Sequence, residues 1–543
     1  MQFRAGSRNR RDDILEAAFH CGQSRSKRIP YYRKCKDLYL YGGDPSVITR
    51  ANKIKPTVNA QSAFLYAPQS IKFWLGVPPQ EDDPKTFDRL DPSADNLTLA
   101  WHDSKTGKKF GQAVTWGLVY GATILCILPR QRSDRSVEIK TYWVHPQDFG
   151  VYDDLQSEID EQEAVSLRSY FHYPQIRRML DLHPRRAEIE RNLMMGAKQQ
   201  SGFEGMISTP PGSTTFDIKP EFWKWYWQAF DYNATPTQPQ WEIQDTYAFD
   251  DDLEDYRILT TSGDQVIWDR PMSHCNVPGL LPFVKVCADE HPEWFWGISL
   301  ADDLAKLQMW YCQRMDDLDR LIGKYVDPPV ALTGVGKSYE EVISQYRRKK
   351  GEMTLPANAD IKSFQPQISP ELFQFIEGID SLMDEQAGHR PNMVGKGNQG
   401  GRGGEGVQAL MRVAGAQMIR KSYETELNAQ DVCQILLAYQ RRYEDVHLID
   451  EKGERFLMAD FPEDIKTRVD GHSSSPIFSQ DSFEVGYALH RSGAITDEML
   501  LRMANIPQLD RARHDLRLIG FQKQLAEKIV QAQQNAKRSG KAA

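Results

Sequence analysis

Residues 298–325 read ISLADDLAKLQMWYCQRMDDLDRLIGKY, and their apolar positions predict one long helix with a single narrow apolar seam. The seam advances in steps of four, three, four, seven, three and four residues through Leu300, Leu304, Leu307, Tyr311, Leu318, Leu321 and Tyr325. Arg314 stands at the position that the seam skips, and the other faces are mostly charged. Asp327-Pro328-Pro329 ends the helix. Such a helix fits either a helix pair in an ordinary core or the charged wall of a larger assembly.

A compact insert and two further helices follow this segment. The insert reads as a strand, a helix and two short strands, at Val330–Thr333, Tyr339–Lys349, Met353–Leu355 and Ile361–Phe364. Ser369 is a good N-cap and Pro370 a good first residue for the second helix, which extends to about Gln386. Eight of the residues in Gly388–Gly406 are glycine, so we expect a loop there before a long helix at Val407–Tyr443.

The first half of the chain mixes helices with an antiparallel sheet. The predicted helices are Asp12–Cys21, Pro30–Tyr41, Ile54–Ala67 and the run Ser93–Gly121. The predicted strands are Thr123–Leu128, Val137–Val144, Ala164–Tyr173, Phe222–Phe230, Trp241–Phe249 and a hairpin of Arg257–Thr261 with Gln265–Arg270. Helices are also expected from Thr496 to about Gln534. The fold class is therefore predicted as α+β and mainly helical.

The composition favours a globular protein with reduced thiols. The chain has 543 residues, with 67 basic and 75 acidic side chains, so its formal charge of −8 argues against tight wrapping of nucleic acid. The seven cysteines form no CxxC pair, which argues against a zinc site or a disulfide framework. We expect neither a signal peptide nor a membrane span, because no long apolar run occurs.

One stretch, Ala331 to Ser338, fits a relaxed P-loop pattern that ends in Gly336-Lys337-Ser338. A working P-loop also needs a parallel sheet and a downstream apolar strand that ends in Asp. The strand here is short and follows Pro328-Pro329, so we interpret the pattern as a plain strand-to-helix turn. The alternative, a nucleotide-dependent DNA motor or nuclease, would show nucleotide binding that Lys337→Ala abolishes.

Other chemical motifs are weak. The acidic run Asp250–Asp255 lacks the spacing of a calcium loop and reads as the solvated approach to a hairpin. Phe222–Trp227 could stack bases or lie at a membrane interface, but a strand packed in a core or subunit interface is the simpler interpretation. We predict no catalytic residue, no metal site and no cofactor, and therefore a protein that is not an enzyme.

The order of elements resembles the portal proteins, or head-to-tail connectors, of tailed bacteriophages. GLVYGATILCILPR at 117–130 and VEIKTYWVHPQDFGVYDD at 137–154 resemble the wing sheet of that family. FWGISLADDLAKLQMWYCQRMDDLDRLIGKYVDPPVALTG at 295–334 resembles the entry into the first stem helix and its exit into the clip. SPELFQFIEGIDSLMDEQAG at 369–388 resembles the returning stem helix.

The resemblance implies a division of the chain into wing, stem, clip and crown. The wing would be residues 1–297, the stem 298–324 and 369–387, and the clip 325–368. A tunnel loop at 388–405, a long helix returning to the wing at 406–490 and a helical crown at 491–543 would complete it.

The resemblance also implies a structural role in the virion. About twelve copies would form a ring at one capsid vertex, through which double-stranded DNA is packaged and ejected. The implied partners are other copies of the chain, DNA held transiently, the terminase large subunit, head–tail adaptor or tail proteins, and the major capsid and scaffolding proteins, without a membrane. Assembly would occur in the cytoplasm of the bacterial host. A different virion adaptor or scaffold protein with a similar plan is a further alternative.

Two basic groups are candidate contact sites on that scheme. His389, Arg390, Lys396 and Arg402 in the tunnel loop could touch the DNA backbone, although a plain linker would look the same. Arg347, Arg348, Lys349 and Lys350 in the clip could meet an acidic partner, although a solvated helix end would also carry them. From Asp510 onward, the sequence has eight basic residues and three acidic ones, which suits a crown near DNA or a generic basic tail.

Overall fold

The computed structural model describes residues 10–43, 51–66, 72–76, 84–131, 137–181, 183–200, 240–262, 265–326, 330–333, 360–363, 370–388, 404–443, 447–449, 454–460, 465–470, 486–493 and 500. Its helices are α1 (Arg10–Tyr41), α2 (Ile54–Leu65), α3 (Pro84–Asp103), α4 (Thr106–Tyr120), α5 (Tyr173–Met179), α6 (Arg186–Gln200), α7 (Leu300–Asp303), α8 (Ala305–Val326), α9 (Pro370–Gln386) and α10 (Gly404–Tyr443). Its strands are β1 (Lys72–Gly76), β2 (Ala122–Gln131), β3 (Val137–Val144), β4 (Phe149–Val151), β5 (Ala164–His172), β6 (Gln240–Asp250), β7 (Asp255–Ser262), β8 (Gln265–Pro271), β9 (Phe283–Cys287), β10 (Val330–Thr333), β11 (Asp360–Ser363), β12 (His447–Ile449), β13 (Arg455–Leu457) and β14 (Lys466–Asp470). The fold is thus mixed α and β with helix predominant, as the sequence predicted.

The chain divides into two compact units. The first comprises Met1–Arg33, Asn59–Ser299 and Gln399–Ala543, and the second comprises Lys34–Val58 and Leu300–Asn398. The second unit contains the segments that the resemblance assigns to the stem, except for residues 298 and 299. It also contains Lys34–Val58, a segment that the resemblance placed in the wing.

The first unit is built on antiparallel sheets. A five-stranded sheet has the order β4-β5-β6-β7-β8, and a three-stranded sheet has the order β3-β2-β9. Helices α5 and α6 cover one part of the larger sheet through Ile176, Leu180, Ile189 and Leu193, which pack with Trp241, Ile243 and Ile267. Helix α4 packs on β2, while α10 packs against β9 and β14. The strand predicted at Val137–Val144 has these same bounds in the structure.

Buried ion pairs accompany the packing of α1 in the first unit. Its residues Ile14, Ala17 and Cys21 form a core cluster with Ala164, Ala248 and Leu259. Deeper in the unit, Arg168 lies 3.0 Å from Asp148, and Arg25 of α1 lies 4.0 Å from Glu242. Burial, with the neighbouring Arg168 guanidinium, lowers the pKa of Arg25 to about 10. Both arginines remain charged at neutral pH, and the two carboxylates compensate their charge.

Two of the sequence-based helix boundaries are wrong. Asp12–Cys21 and Pro30–Tyr41 belong to one helix, α1, which continues through Pro30. Buried side chains on both sides of Pro30, such as Cys21 and Tyr32, explain how packing outweighs its local cost. The run Ser93–Gly121 is not one helix, because Lys105 adopts a left-handed conformation with φ of 57° between α3 and α4.

The turn that precedes the second unit is tightly packed. Gly297 has a φ of +63°, and a Cβ atom on it would lie 2.3 Å from the Sγ atom of Cys287. Two residues later, the buried Ser299 hydroxyl donates a hydrogen bond of 2.5 Å to the carbonyl of Val119. These contacts give a physical reason for glycine and serine in the sequence Gly297-Ile298-Ser299.

We predict that Gly297→Ala lowers the free energy of unfolding of the first unit by about 3 kcal/mol, from left-handed strain and overpacking together. Chemical denaturation followed by circular dichroism measures this change. The matched control is Gly323→Ala on α8, where an added Cβ meets nothing within 4 Å. That control should be neutral or stabilising by up to about 1 kcal/mol. Equal effects of the two substitutions would contradict the prediction.

Carboxylates converge on Asp431 of α10. Partial desolvation, together with the carboxylates of Glu158, Asp160 and Glu290, raises the pKa of Asp431 to about 7. Lys285 offsets part of this repulsion, because its ammonium lies 2.8 Å from Glu290. The repulsion therefore increases as Asp431 loses its proton near neutral pH.

We predict that Asp431→Asn raises the melting temperature at pH 8 and leaves it nearly unchanged at pH 4. The folded pKa of Asp431 lies above the unfolded value of about 3.9, so stability is lost as the pH rises from about 4 to about 7. At pH 8 the free energy of unfolding should increase by on the order of 1 kcal/mol, since the side chain is exposed and solvent screens the repulsion. Glu188→Gln, at an exposed position on α6, is the control. A gain that is the same at both pH values would refute the assignment.

Candidate functional site

The second unit contains a pair of antiparallel helices, α8 and α9. The two helices pack against each other. At one end, the Nε2 atom of Gln386, the last residue of α9, donates a 3.1 Å hydrogen bond to the carbonyl of Asp303, the last residue of α7, two residues before α8 begins. At the other end, β10 follows α8 and pairs antiparallel with β11, which precedes α9. We call this helix pair, with its linking strands, the stem.

Only part of the predicted seam is buried. Leu300, Leu304, Tyr311 and Leu318 are buried, Leu307 and Leu321 are half-buried, and Tyr325 is exposed. Helix α9 contributes the buried residues Ile376, Ile379 and Met383, which recur at helical spacing. The apolar stripe therefore loses cover toward the end of α8, where Val326 is also exposed.

A buried amide anchors α8 to the segment before α2. Gln308 is fully buried on α8. Its Oε1 atom accepts a 3.0 Å hydrogen bond from the backbone N–H of Lys53, and its Nε2 atom donates one of 2.8 Å to the carbonyl of Ala51. The Nε2 atom also lies 3.0 Å from the Sγ atom of Cys312, whose pKa is raised by burial. Gln308 thus fixes an extended backbone segment against the helix.

Two lysine side chains form further ion pairs in the same unit. The Nζ atom of Lys53 lies 2.8 Å from the carboxylate of Asp380 on α9 and 5.5 Å from the centre of the Tyr311 ring. The Nζ atom of Lys34 on α1 lies 2.6 Å from the carboxylate of Asp302 on α7, and this hydrogen bond raises the pKa of Lys34. Sequence reasoning missed Gln308 and Lys53, because neither is apolar and no periodic pattern includes them.

The outward faces of both stem helices carry large apolar side chains. Trp310 on α8 is 57% exposed, and Met309 beside it is also exposed. On α9, Phe375 and Leu382 are 54% and 52% exposed, and their seven-residue separation places them on one face. Gly378 lies between them, and nothing occupies the 4 Å around an added Cβ. These surfaces are apolar enough to suggest that another molecule covers them.

The charges on the two stem helices differ. Helix α9 has five acidic residues and no basic residue: Glu371, Glu377, Asp380, Asp384 and Glu385. Helix α8 carries the exposed bases Lys306, Arg320 and Lys324 together with three aspartates. The outward face of α9 is therefore acidic, while that of α8 contains exposed positive charge.

The other predicted sites lie outside the described residues. This holds for the tunnel-loop residues His389, Arg390, Lys396 and Arg402, and for the clip residues Arg347, Arg348, Lys349 and Lys350. It also holds for Gly336-Lys337-Ser338, although Ala331–Thr333 lies in β10. The described partner of β10 is antiparallel, whereas the strand before a P-loop belongs to a parallel sheet.

Within the described ranges, no cluster of three or more His, Cys, Asp or Glu side chains could hold a metal ion. None of the helices in those ranges combines the length and apolarity needed to cross a bilayer. The sequence matches no protein-family model and no curated protein.

We predict that Gln308→Leu increases amide hydrogen exchange at residues 51–58 about thirtyfold. The substitution leaves the Lys53 N–H and the Ala51 carbonyl without their side-chain partner, which costs about 2 kcal/mol. Hydrogen exchange read by mass spectrometry measures the change. Gln313→Leu makes the same substitution at an exposed position of α8 and should leave exchange at residues 51–58 unaltered. Unchanged exchange in Gln308→Leu would show that the amide is no anchor.

Proposed function

We propose that the chain is a portal protein, one protomer of a ring through which double-stranded DNA enters and leaves a phage capsid. The observation that carries this proposal is the stem, an antiparallel helix pair joined at one end by a small strand pair. This is the arrangement that the resemblance implies for the stem and clip. About twelve copies would place their stems around a common axis.

The outward faces of the stem support assembly with further copies of the chain. In a ring of identical subunits, each contact joins two different surfaces, one from each neighbour. The face of α8 that contains Trp310 carries exposed basic residues. The face of α9 that contains Phe375 and Leu382 lies on a helix whose charged residues are all acidic. These two faces are complementary in charge and would bury apolar area that the single chain leaves in water.

The electrostatics support a conduit that does not grip DNA. The net charge of −8 per chain is multiplied in an assembly, and part of this negative charge comes from α9, which has acidic but no basic residues. Acidic side chains repel phosphate over a Debye length of ~8 Å at physiological salt, so the duplex could slide. Local basic groups, such as Lys396 and Arg402, would then provide transient contacts with the DNA backbone.

The remaining partners follow from the same proposal. The chain would perform no catalysis, and ATP hydrolysis would belong to a terminase large subunit docked on the clip. Head–tail adaptor or tail proteins would replace the terminase after packaging. Capsid and scaffolding proteins would contact the wing at the unique vertex of the virion.

We predict that the purified chain forms a closed ring with a mass near twelve times 62.3 kDa, measured by native mass spectrometry. Trp310→Glu and Phe375→Lys should each shift the protein toward monomers, because each inserts into the proposed contact a charge of the same sign as the facing helix. Gln313→Glu, an exposed substitution on α8, should leave the ring intact. A monomer under all conditions would contradict the proposal. Nucleotide binding that is lost in Lys337→Ala would favour the motor instead.

A further inference from the structure

A groove in the first unit lies between α2 and α4. It has a volume of about 760 Å³, and all of its lining residues belong to that unit. Both sides show the spacing of one helical face, with Asn59, Ser62, Ala63 and Tyr66 on the side of α2 and Lys108, Gly111, Gln112 and Thr115 on the side of α4. A helix rises about 10 Å over such a span, so the groove is about two helical turns long.

The polar atoms between the two sides of the groove satisfy one another. The Oγ atom of Ser62 lies 2.6 Å from the Oγ1 atom of Thr115, which in turn donates a 3.0 Å hydrogen bond to the carbonyl of Gly111. The hydroxyl of Tyr66 donates a 2.9 Å hydrogen bond to the carbonyl of Gly107. A small-molecule site presents convergent polar groups to its ligand, whereas these groups already have partners. The groove therefore offers its occupant mainly shape and apolar surface.

One part of the groove carries positive charge that nothing in the described chain neutralises. Lys105 and Lys108 both line it and are exposed, and neither side chain has an ion pair or hydrogen bond with the described residues. None of the described lining residues is acidic. The first turn of α4 also lines the groove through Gly107, and no side chain caps this helix, so its dipole adds partial positive charge. In a chain with a formal charge of −8, this local positive surface favours an acidic occupant.

We propose that this groove receives an acidic amphipathic helix of a partner protein. A helix suits a groove between two helical faces, because its side chains fit between theirs. Its apolar side chains would lie beside Ala63, and its carboxylates would pair with Lys105 and Lys108. Double-stranded DNA fits less well, because tight binding to a duplex needs many phosphate contacts and the groove presents two lysines. The site lies in the first unit, so it does not rest on ring formation by the stem.

Fluorescence polarisation with a labelled synthetic helix tests the groove on the full chain. The probe repeats Glu-Glu-Leu-Ala-Glu-Ala-Leu over about fourteen residues, and its counterpart has Lys in place of every Glu. We expect the acidic helix to bind with a Kd of about 100 μM and the basic helix to give no change in polarisation. Lys105→Glu/Lys108→Glu should weaken binding about tenfold, because it reverses both charges. Ala63→Trp should weaken it about tenfold as well, because the new ring fills the groove while the lysines remain.

Each groove variant has a matched control outside the groove. Lys27→Glu/Arg191→Glu makes the same change of charge at exposed positions on α1 and α6. Ala187→Trp adds the same ring at an exposed position on α6. Both controls should bind the acidic helix as tightly as the unaltered chain does.

Four results would overturn the proposal. They are no binding of the acidic helix to the unaltered chain, equal binding of the basic helix, a groove variant that binds as well as its control, and displacement of the acidic helix by an equal concentration of a DNA duplex. The last result would assign the groove to nucleic acid. Trp310→Glu, which addresses the ring contact alone, should bind the acidic helix normally, so failure of the ring and failure of the groove are distinguishable.

Discussion

The burial of one narrow apolar stripe between α8 and α9 is the constraint on which the stem depends. Tyr311 and Leu318 are buried on one helix, and Ile379 and Met383 are buried on the other. A stripe this narrow can hold two helices together but cannot enclose either of them. The remaining surface of each helix is therefore available to solvent or to another molecule, and its side chains can be selected for that role.

Polar interactions fix the position of the stem helices within their unit. Gln308 is bound on both sides of its amide by the backbone at Ala51 and Lys53, and Lys53 continues to Asp380 on the partner helix. These contacts are directional, whereas apolar contacts between helices tolerate sliding. A wall built from repeated copies needs such a fixed geometry, since small errors in one subunit would accumulate around a ring.

Local periodicity made much of the stem predictable from sequence. The seven-position seam predicted the helix from residue 300 onward, and Pro370 marked the start of α9. The bond from Gln308 to Ala51 was not predictable, because it joins residues 257 positions apart and a glutamine on a helix is usually exposed. The prediction that a new helix begins at Pro30 was wrong for a related reason. The local preference of this proline to begin a helix was overridden by packing on both sides of it.

The acidic surroundings of Asp431 and the groove between α2 and α4 also escape sequence reasoning. Each brings together groups from segments that are far apart in the chain, such as Glu158 with Asp431 and Tyr66 with Gly107. No local spacing in the sequence encodes such a contact between distant segments.

The function is most directly tested by an electron-microscopy reconstruction of the assembled protein. The account predicts an axial opening lined by α8 and α9 of successive copies. An assembly without an axial opening, or one with these helices enclosed in a globular core, would contradict it.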